Sequence, residues 1–147
     1  MLNHILIGVA LSVVNFVIHA AVTGLIVVAT RRIAAATDGR HIFARVTALM
    51  AVTGVVLMVA HGIEIGVWTS YYTAAGIMTD KATPFEFAFE NYTALGYGDT
   101  VPAENKRLVG PITALNGLLL IGWSVAILFE VLRMAELQVG RHQKPGR

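Results

Sequence analysis

Three long apolar stretches, separated by short polar connections, dominate the pattern of this chain. The first runs from Met1 to Thr30 without Lys, Arg, Asp or Glu, and the third, from Leu108 to Phe129, is equally free of fixed charge. The second, from about residue 46 to Trp68, carries His61 and Glu64 in its later half. Because about 20 apolar residues suffice to cross the hydrocarbon core of a bilayer, the pattern predicts three membrane-spanning helices.

A shorter amphipathic segment, Pro84 to Tyr92, lies between the second and third spans. Pro84 suits the first turn of a helix, and Thr83 is a candidate N-cap. At about 1.5 Å per residue this helix is only ~15 Å long, too short to cross. We therefore predict that it ends at membrane depth and that the next residues carry the chain back out, since irregular backbone is tolerated there only where protein buries it or it lines water.

The segment that follows reads Thr-Ala-Leu-Gly-Tyr-Gly-Asp-Thr over residues 93–100. Backbone carbonyls can replace the water around a cation if consecutive C=O groups face a common line. An ordinary strand alternates its groups, but Gly96 and Gly98 can adopt the positive φ that turns neighbouring carbonyls the same way. The alternative is an ordinary turn, since turns use Gly freely. One chain cannot surround an ion, so a carbonyl filter implies a fourfold assembly.

Residues Leu95 to Asp99 resemble the selectivity filter of potassium channels, and the segments between residues 45 and 136 resemble the pore domain of that family. The resemblance implies a pore domain of two transmembrane helices with a re-entrant pore helix and a selectivity-filter loop per subunit, assembled as a homotetramer. With the first apolar span added, the chain is expected to be an all-α membrane protein with three transmembrane helices per subunit. The implied pore domain, residues 46–136, divides into outer helix 46–72, pore helix 84–93, filter 94–99 and inner helix 107–136. Outside it are an additional N-terminal transmembrane helix, 1–32, a cytoplasmic connection, 33–45, and a short basic cytoplasmic tail, 137–147.

The resemblance assigns the ion-binding filter to Thr93, Ala94, Leu95, Gly96, Tyr97 and Gly98. It implies K+ bound by the carbonyls of Ala94, Leu95, Gly96 and Tyr97. Ala94 stands where the family usually carries the threonine whose hydroxyl completes the innermost ion site. This departure predicts a weaker innermost site, and it leaves a less selective cation channel as an alternative.

Three further residues are implied to support the filter. Phe87 aligns with an aromatic residue that packs on the filter tyrosine. Glu90 and Asp99 align with a carboxyl pair behind the filter, and two close carboxylates share a proton because both cannot ionise cheaply. The alternative for Glu90 is a solvated position in the outer vestibule.

The third span contains candidates for gating and for the pore cavity. Gly117 and Gly122 are candidates for a bend point by resemblance, and the alternative is close packing between helices. Asn116 either faces a water-filled cavity or makes an interhelical hydrogen bond.

Polar residues within the first two spans are expected to face protein rather than lipid. Asn15 and His19, four residues apart, share a helix face that we predict packs on a neighbouring helix; a proton-sensing role for His19 is the other interpretation. His61 and Glu64 also share a face and predict a pair or a contact with another helix, with a pH response or a metal site as alternatives. Two ligands alone make a poor metal site.

Composition supports a membrane protein. The chain has 147 residues, 56% of them hydrophobic and 14% charged, against about 25% charged in soluble domains. It contains no cysteine, and a net charge of +2 gives no reason to expect nucleic acid as a partner. We expect membrane lipid as a partner, no cofactor other than K+ as the permeant ion, and no enzymatic activity, because no nucleophile or cofactor motif accompanies His61 and Glu64.

The basic residues predict an orientation. Cytoplasmic segments carry the excess of Lys and Arg, and placing the filter loop outside leaves three basic residues there: Lys81, Lys106 and Arg107. The inside then holds eight: Arg31, Arg32, Arg40, Arg45, Arg133, Arg141, Lys144 and Arg147. We predict an integral protein of a bacterial inner membrane, with its N-terminus outside and its C-terminus cytoplasmic. A signal peptide is the alternative for the first span, but that stretch lacks a basic start.

The sequence predicts a passive potassium channel without a voltage sensor, since neither early span repeats Arg or Lys every third residue. The tail is too short for a ligand-binding domain. This leaves a leak channel, proton gating, lipid control or an unlinked regulatory partner. A weakly selective monovalent cation channel and a non-conducting membrane subunit are the alternative functions.

Overall fold

The computed structural model describes residues 2–35, 42–77, 83–96, 102 and 104–142. Four α-helices follow one another: α1 (Leu2–Ala35), α2 (Ile42–Ala74), α3 (Pro84–Tyr92) and α4 (Val109–His142), with a short 3₁₀ helix at Glu104–Lys106. The described part of the chain contains no strand, and α1, α2 and α4 are long and apolar enough to cross a membrane. The predicted all-α membrane protein is confirmed.

The three long helices extend beyond the predicted spans. α1 continues through Arg31 and Arg32 to Ala35, α2 begins at Ile42 instead of residue 46, and α4 runs past residue 136 to His142. Apolar residues mark the part of a helix inside the bilayer, whereas Arg, Ala, Leu, Glu and Gln are strong helix formers on either side of it. Most of the segment predicted as a tail is therefore helical, and residues 143–147 lie outside the described part.

The start of α3 is fixed by its own side chains. The backbone N–H of Glu86 donates to Thr83 Oγ1 over 3.2 Å, and the backbone N–H of Thr83 donates to Glu86 Oε2 over 2.9 Å. This reciprocal capping box satisfies donors that a helix start leaves unpaired, and Pro84 occupies the first turn. The predicted N-cap at Thr83 is confirmed.

α3 lies between α2 and α4, and α1 packs against the same two helices. Its buried face joins an apolar cluster of Ile65, Trp68, Tyr72, Ile77, Phe87, Ala88, Tyr92, Val109 and Leu120. A second cluster of Ile26, Leu57, Ile127 and Val131 joins the three long helices elsewhere. The outward faces of those helices are apolar as well, with Leu25, Met58 and Val125 well exposed. Such apolar outer faces suit contact with lipid. One face of α3 is therefore buried among the helices, whereas the spanning helices keep apolar faces exposed.

Candidate functional site

α3 ends in a hydrogen-bonded cap that leads into the candidate filter. The N–H of Ala94 donates to the carbonyl of Asn91 and the N–H of Leu95 donates to the carbonyl of Glu90, both over 2.9 Å. These two bonds form a Schellman motif, in which the first of the two donor residues has a positive φ. The residue of positive φ is Ala94, at 55°, where helices usually place glycine. Alanine carries no sequence signal for a left-handed conformation, so this feature could not be predicted from the sequence.

The backbone of residues 94–96 alternates in handedness. Ala94 has φ of 55° and Gly96 has φ of 67°, whereas Leu95 between them does not have a positive φ. Residues of alternating handedness can turn successive peptide groups toward one side, which an ordinary strand cannot do. The predicted positive φ at Gly96 is observed, whereas Tyr97, Gly98 and Asp99 lie outside the described residues.

α4 packs closely against the C-terminal end of α3. A Cβ atom built on Gly117 would lie 1.9 Å from the backbone oxygen of Tyr92, and one built on Gly110 would lie 2.6 Å from Asn91 Oδ1. A Cβ built on Gly122 would have nothing within 4 Å. Gly117 therefore permits close packing of α4 against the filter side of α3, one of the two interpretations of this glycine. Gly122 meets no such constraint, so a bend there stays a prediction.

The two faces of α3 have different surroundings. Phe87 is buried and packs on Tyr72 of α2, with ring centroids 5.2 Å apart; its predicted contact with the filter tyrosine lies outside the described residues. On the opposite face an open groove of about 330 Å³ is lined by Phe85, Glu86, Phe89 and Glu90. The Glu90 side chain is half-buried at this groove, and its pairing with Asp99 stays a prediction.

Asn116 lies between helices. Its Oδ1 accepts hydrogen bonds from Asn15 Nδ2 of α1 and Trp68 Nε1 of α2, both at 3.0 Å, and the residue is 2% exposed. The structure therefore places Asn116 in an interhelical hydrogen bond and not on the surface of a cavity, since three helices enclose its amide. Asn15 is buried as well, in agreement with the expected packing of its face.

His19, His61 and Glu64 come together in the protein interior. Glu64 Oε1 lies 2.9 Å from His19 Nδ1, and its Oε2 lies 3.1 Å from His61 Nδ1. The hydroxyl of Tyr92 donates to the same Oε2 and lies 2.8 Å from His61 Nδ1. Ser124 Oγ lies 2.9 Å from His61 Nε2 and 3.4 Å from His19 Nε2. We call these five side chains the His–Glu cluster; it joins all four helices.

The sequence predicted a contact between His61 and Glu64, but it did not predict that His19, Tyr92 and Ser124 lie beside them. A signal was available, because each of the spanning helices carries a polar residue deep in an apolar stretch, and such residues seek one another. His19, His61 and Glu64 could each offer one ligand atom to a metal ion, with those atoms within 4.8 Å of one another. They also satisfy one another by hydrogen bonding, so the geometry supports a proton network as readily as a metal site.

Comparison with known proteins identifies the part of the chain that contains these features. A family model described as an ion channel matches residues 59–134, a range that includes the later half of α2, all of α3 and most of α4. Comparisons with curated proteins and with solved structures gave no match.

Proposed function

This chain belongs to the ion-channel family whose model it matches, and we propose that it forms a homotetrameric channel that conducts K+ passively and selectively. Membership in that family indicates transport and not catalysis. The protein is integral to a membrane. We place it in a bacterial inner membrane with the C-terminus cytoplasmic, because that orientation puts most basic residues inside.

One observation carries this proposal: a helix too short to cross the membrane leads directly into backbone of alternating handedness. α3 has nine residues, and Ala94 and Gly96 after it have positive φ. In such a conformation the carbonyls of Ala94, Leu95 and Gly96 can act as ligands for a dehydrated cation, and the sequence pattern adds the carbonyl of Tyr97 to this set. The macrodipole of α3 adds partial negative charge near its C-terminus, which favours a cation at the inner end of the proposed filter. The sequence also supports a filter, because Gly98 and Asp99 complete the filter pattern.

The fourfold assembly is supported by the open groove on α3. Phe85 and Phe89 are 52% and 45% exposed although they lie on a helix held between two spanning helices. We propose that neighbouring subunits cover this groove, because a carbonyl filter needs several copies around one axis. Native mass spectrometry of the protein in detergent should show four chains, and a monomer or dimer that conducts K+ would contradict this assembly.

The test of conduction is K+ flux into liposomes containing the purified protein. We expect flux driven by a K+ gradient, and its loss in Gly96→Ala. Alanine at a φ of 67° is strained by about 1–2 kcal/mol, and four copies act together in one filter. Gly62→Ala is the matched control, since nothing lies within 4 Å of the Cβ position there either. A wild type without flux would favour a non-conducting membrane subunit.

A weakly selective cation channel is the second candidate, and Ala94 is the observation that favours it. Alanine provides no hydroxyl for the innermost ion site. Reversal potentials measured with K+ on one side and Na+ on the other separate the two functions. A reversal potential close to the equilibrium potential of K+ supports K+ selectivity, and one near zero supports the weakly selective channel.

A further inference from the structure

Three potential metal ligands that are far apart in the sequence converge inside the protein. His19 comes from α1, and His61 and Glu64 come from α2. The sequence offered only the pair of His61 and Glu64, and two ligands make a poor metal site, whereas the structure adds a third. The side chains of His19 and Glu64 are fully buried, and that of His61 keeps 18% of its surface exposed. One of the three ligands is therefore accessible to an entering ion.

The ligand atoms have nearly the spacing that a tetrahedral metal ion requires. Ligands about 2.0–2.1 Å from a zinc ion lie about 3.3 Å from one another in a tetrahedron. Glu64 Oε1 is 2.9 Å from His19 Nδ1, and Glu64 Oε2 is 3.1 Å from His61 Nδ1. The ligand atoms of the three residues all lie within 4.8 Å of one another. Binding of an ion between them therefore requires changes of at most about 1.5 Å in these separations.

Tyr92 supplies a candidate fourth ligand. Its hydroxyl donates to Glu64 Oε2 and lies 2.8 Å from His61 Nδ1. Tyr92 is the last residue of α3, so the ligand set comes from three helices. Structural zinc sites are closed by four protein ligands, whereas catalytic sites keep one position open. The set therefore fits a structural metal site, in agreement with a protein that transports and does not catalyse.

Ser124 of α4 supports both imidazole rings from the side opposite Glu64. Its Oγ lies 2.9 Å from His61 Nε2 and 3.4 Å from His19 Nε2. The hydroxyl has one proton to donate, so at least one ring donates from Nε2 and turns a bare Nδ1 toward the carboxylate. A cation satisfies acceptors that face one another in this way. When both Nδ1 atoms bind an ion, both Nε2–H groups can donate to Ser124, and such a second hydrogen bond is the usual support of a metal-binding histidine.

We infer that His19, His61, Glu64 and Tyr92 form a structural binding site for one divalent transition-metal ion, with zinc as the best fit. Imidazole ligands favour zinc and its neighbours over magnesium and calcium. Glu64 neutralises one positive charge of the ion. A bound dication can displace the proton of a coordinated hydroxyl, so Tyr92 binds as phenolate, its proton passes to water, and the site is neutral, as a membrane interior favours. The ion links α1 to the end of α3.

Metal binding is measured on the full chain in detergent, after removal of any affinity tag and of bound metal with a chelator. Calorimetric titration with zinc should show about one equivalent per chain. Zinc should also raise the melting temperature, because a ligand that binds only the folded state stabilises it. Cobalt(II) should give the strong visible absorption of a four-coordinate site. A wild type that binds neither ion, or that gives the weak absorption of six-coordinate cobalt, would overturn the inference. None of these measurements depends on K+ flux, so their outcome is independent of the proposed channel function.

Single substitutions assign the site to its residues. His19→Ala, His61→Ala and Glu64→Gln each remove one ligand and should abolish the bound equivalent of zinc and its effect on the melting temperature. Ser124→Ala removes only a support of the two rings and should weaken zinc affinity by about 10–100-fold. Zinc affinity equal to the wild type in any of the three ligand variants would contradict this ligand set.

His4→Ala is the matched control, since His4 also joins α1 to α2, through Tyr71 over 2.8 Å, but outside the cluster. It should bind zinc as the wild type does, and an equal loss of binding in His4→Ala would contradict the site. Glu64→Gln separates the loss of a ligand from the loss of the fold, because glutamine keeps the size of the side chain and can both donate and accept hydrogen bonds. Its helix content by circular dichroism should equal that of the wild type while the cobalt absorption disappears.

Discussion

Replacing Gly117 with alanine tests how closely α4 approaches the end of α3. The added Cβ would lie 1.9 Å from the backbone oxygen of Tyr92 and 2.7 Å from its carbonyl carbon. Ordinary contacts of a Cβ begin at 3.4 Å, a shortfall of 1.5 Å. The neighbour is backbone at a helix end and not the tip of a flexible side chain, so α3 and α4 must separate.

The expected cost follows from this displacement. Overfilling a packed interior costs about 1–3 kcal/mol, and a clash with fixed backbone belongs at the upper end of that range. Glycine in a helix is also about 1 kcal/mol less favourable than alanine, which offsets part of the loss. Gly122→Ala gains the same helix propensity without a clash, because nothing lies within 4 Å of its Cβ position. The difference between the two variants therefore isolates the contact with Tyr92.

Thermal unfolding of the full chain in detergent provides the first measurement. Gly117→Ala should melt below Gly122→Ala by several degrees, since 1 kcal/mol corresponds to about 2–4 °C for a chain of this size. In liposomes it should also reduce K+ flux, because Tyr92 immediately precedes the filter segment. Equal melting temperatures for the two variants would refute the close approach. Equal stability together with altered flux in Gly122→Ala would instead favour a bend at that residue.

Changes at four further positions test other parts of the site. Ala94→Gly should stabilise the cap of α3 and Ala94→Thr should weaken it, by about 1 kcal/mol each, because φ at this position is 55° and β-branched residues avoid it; melting temperatures of the two variants should fall on opposite sides of the wild type. Thr83→Ala should cost about 1 kcal/mol and Thr83→Ser nearly nothing, as measured by unfolding. The hydrogen bonds from Thr83 hold the pKa of Glu86 below its usual range, so the capping contact of Glu86 is present above the unfolded-state pKa and is lost as the pH falls through the lowered value; Glu86→Gln should remove this acid dependence. Asn116→Leu leaves the Nε1–H of Trp68 buried without its acceptor and should cost about 1–3 kcal/mol, and a stability equal to the wild type would contradict that bond.

The apolar pattern was sufficient to predict the number of helices and the short α3. Crossing a bilayer requires a certain length of apolar chain, and α3 is too short to meet it, so both features can be read from one sequence. The ends of the helices could not be predicted with the same accuracy, because residues such as Arg31 and Arg32 neither favour the bilayer nor break a helix. The left-handed Ala94 was missed because backbone conformation at a cap depends on the bonds made by Glu90 and Asn91, not on alanine itself.

The meeting of His19 with Glu64 could not be predicted because apolar periodicity does not specify how deep one spanning helix lies relative to the next. Any apolar face can slide along another at little cost, whereas hydrogen bonds between buried polar groups fix one register. Asn15, which donates to Asn116 of α4, supplies a second such constraint four residues before His19 on α1. Both contacts could have been suggested by comparing how deep the polar residues of each spanning helix lie in the bilayer.

Tyr92 is held from three directions, and this explains why a helix outside the family match can affect the filter. Its carbonyl rests against Gly117, its hydroxyl donates to Glu64, and its chain continues into the cap at Ala94. Glu64 is in turn oriented by His19 of α1, whereas the family match begins at residue 59. If residues 94–97 bind ions as we propose, small shifts of Tyr92 change the distances between carbonyl and ion, on which conduction depends. His19→Ala should then alter flux through Glu64 although α1 does not contribute a residue to the filter, and unchanged flux in that variant would limit α1 to a packing role.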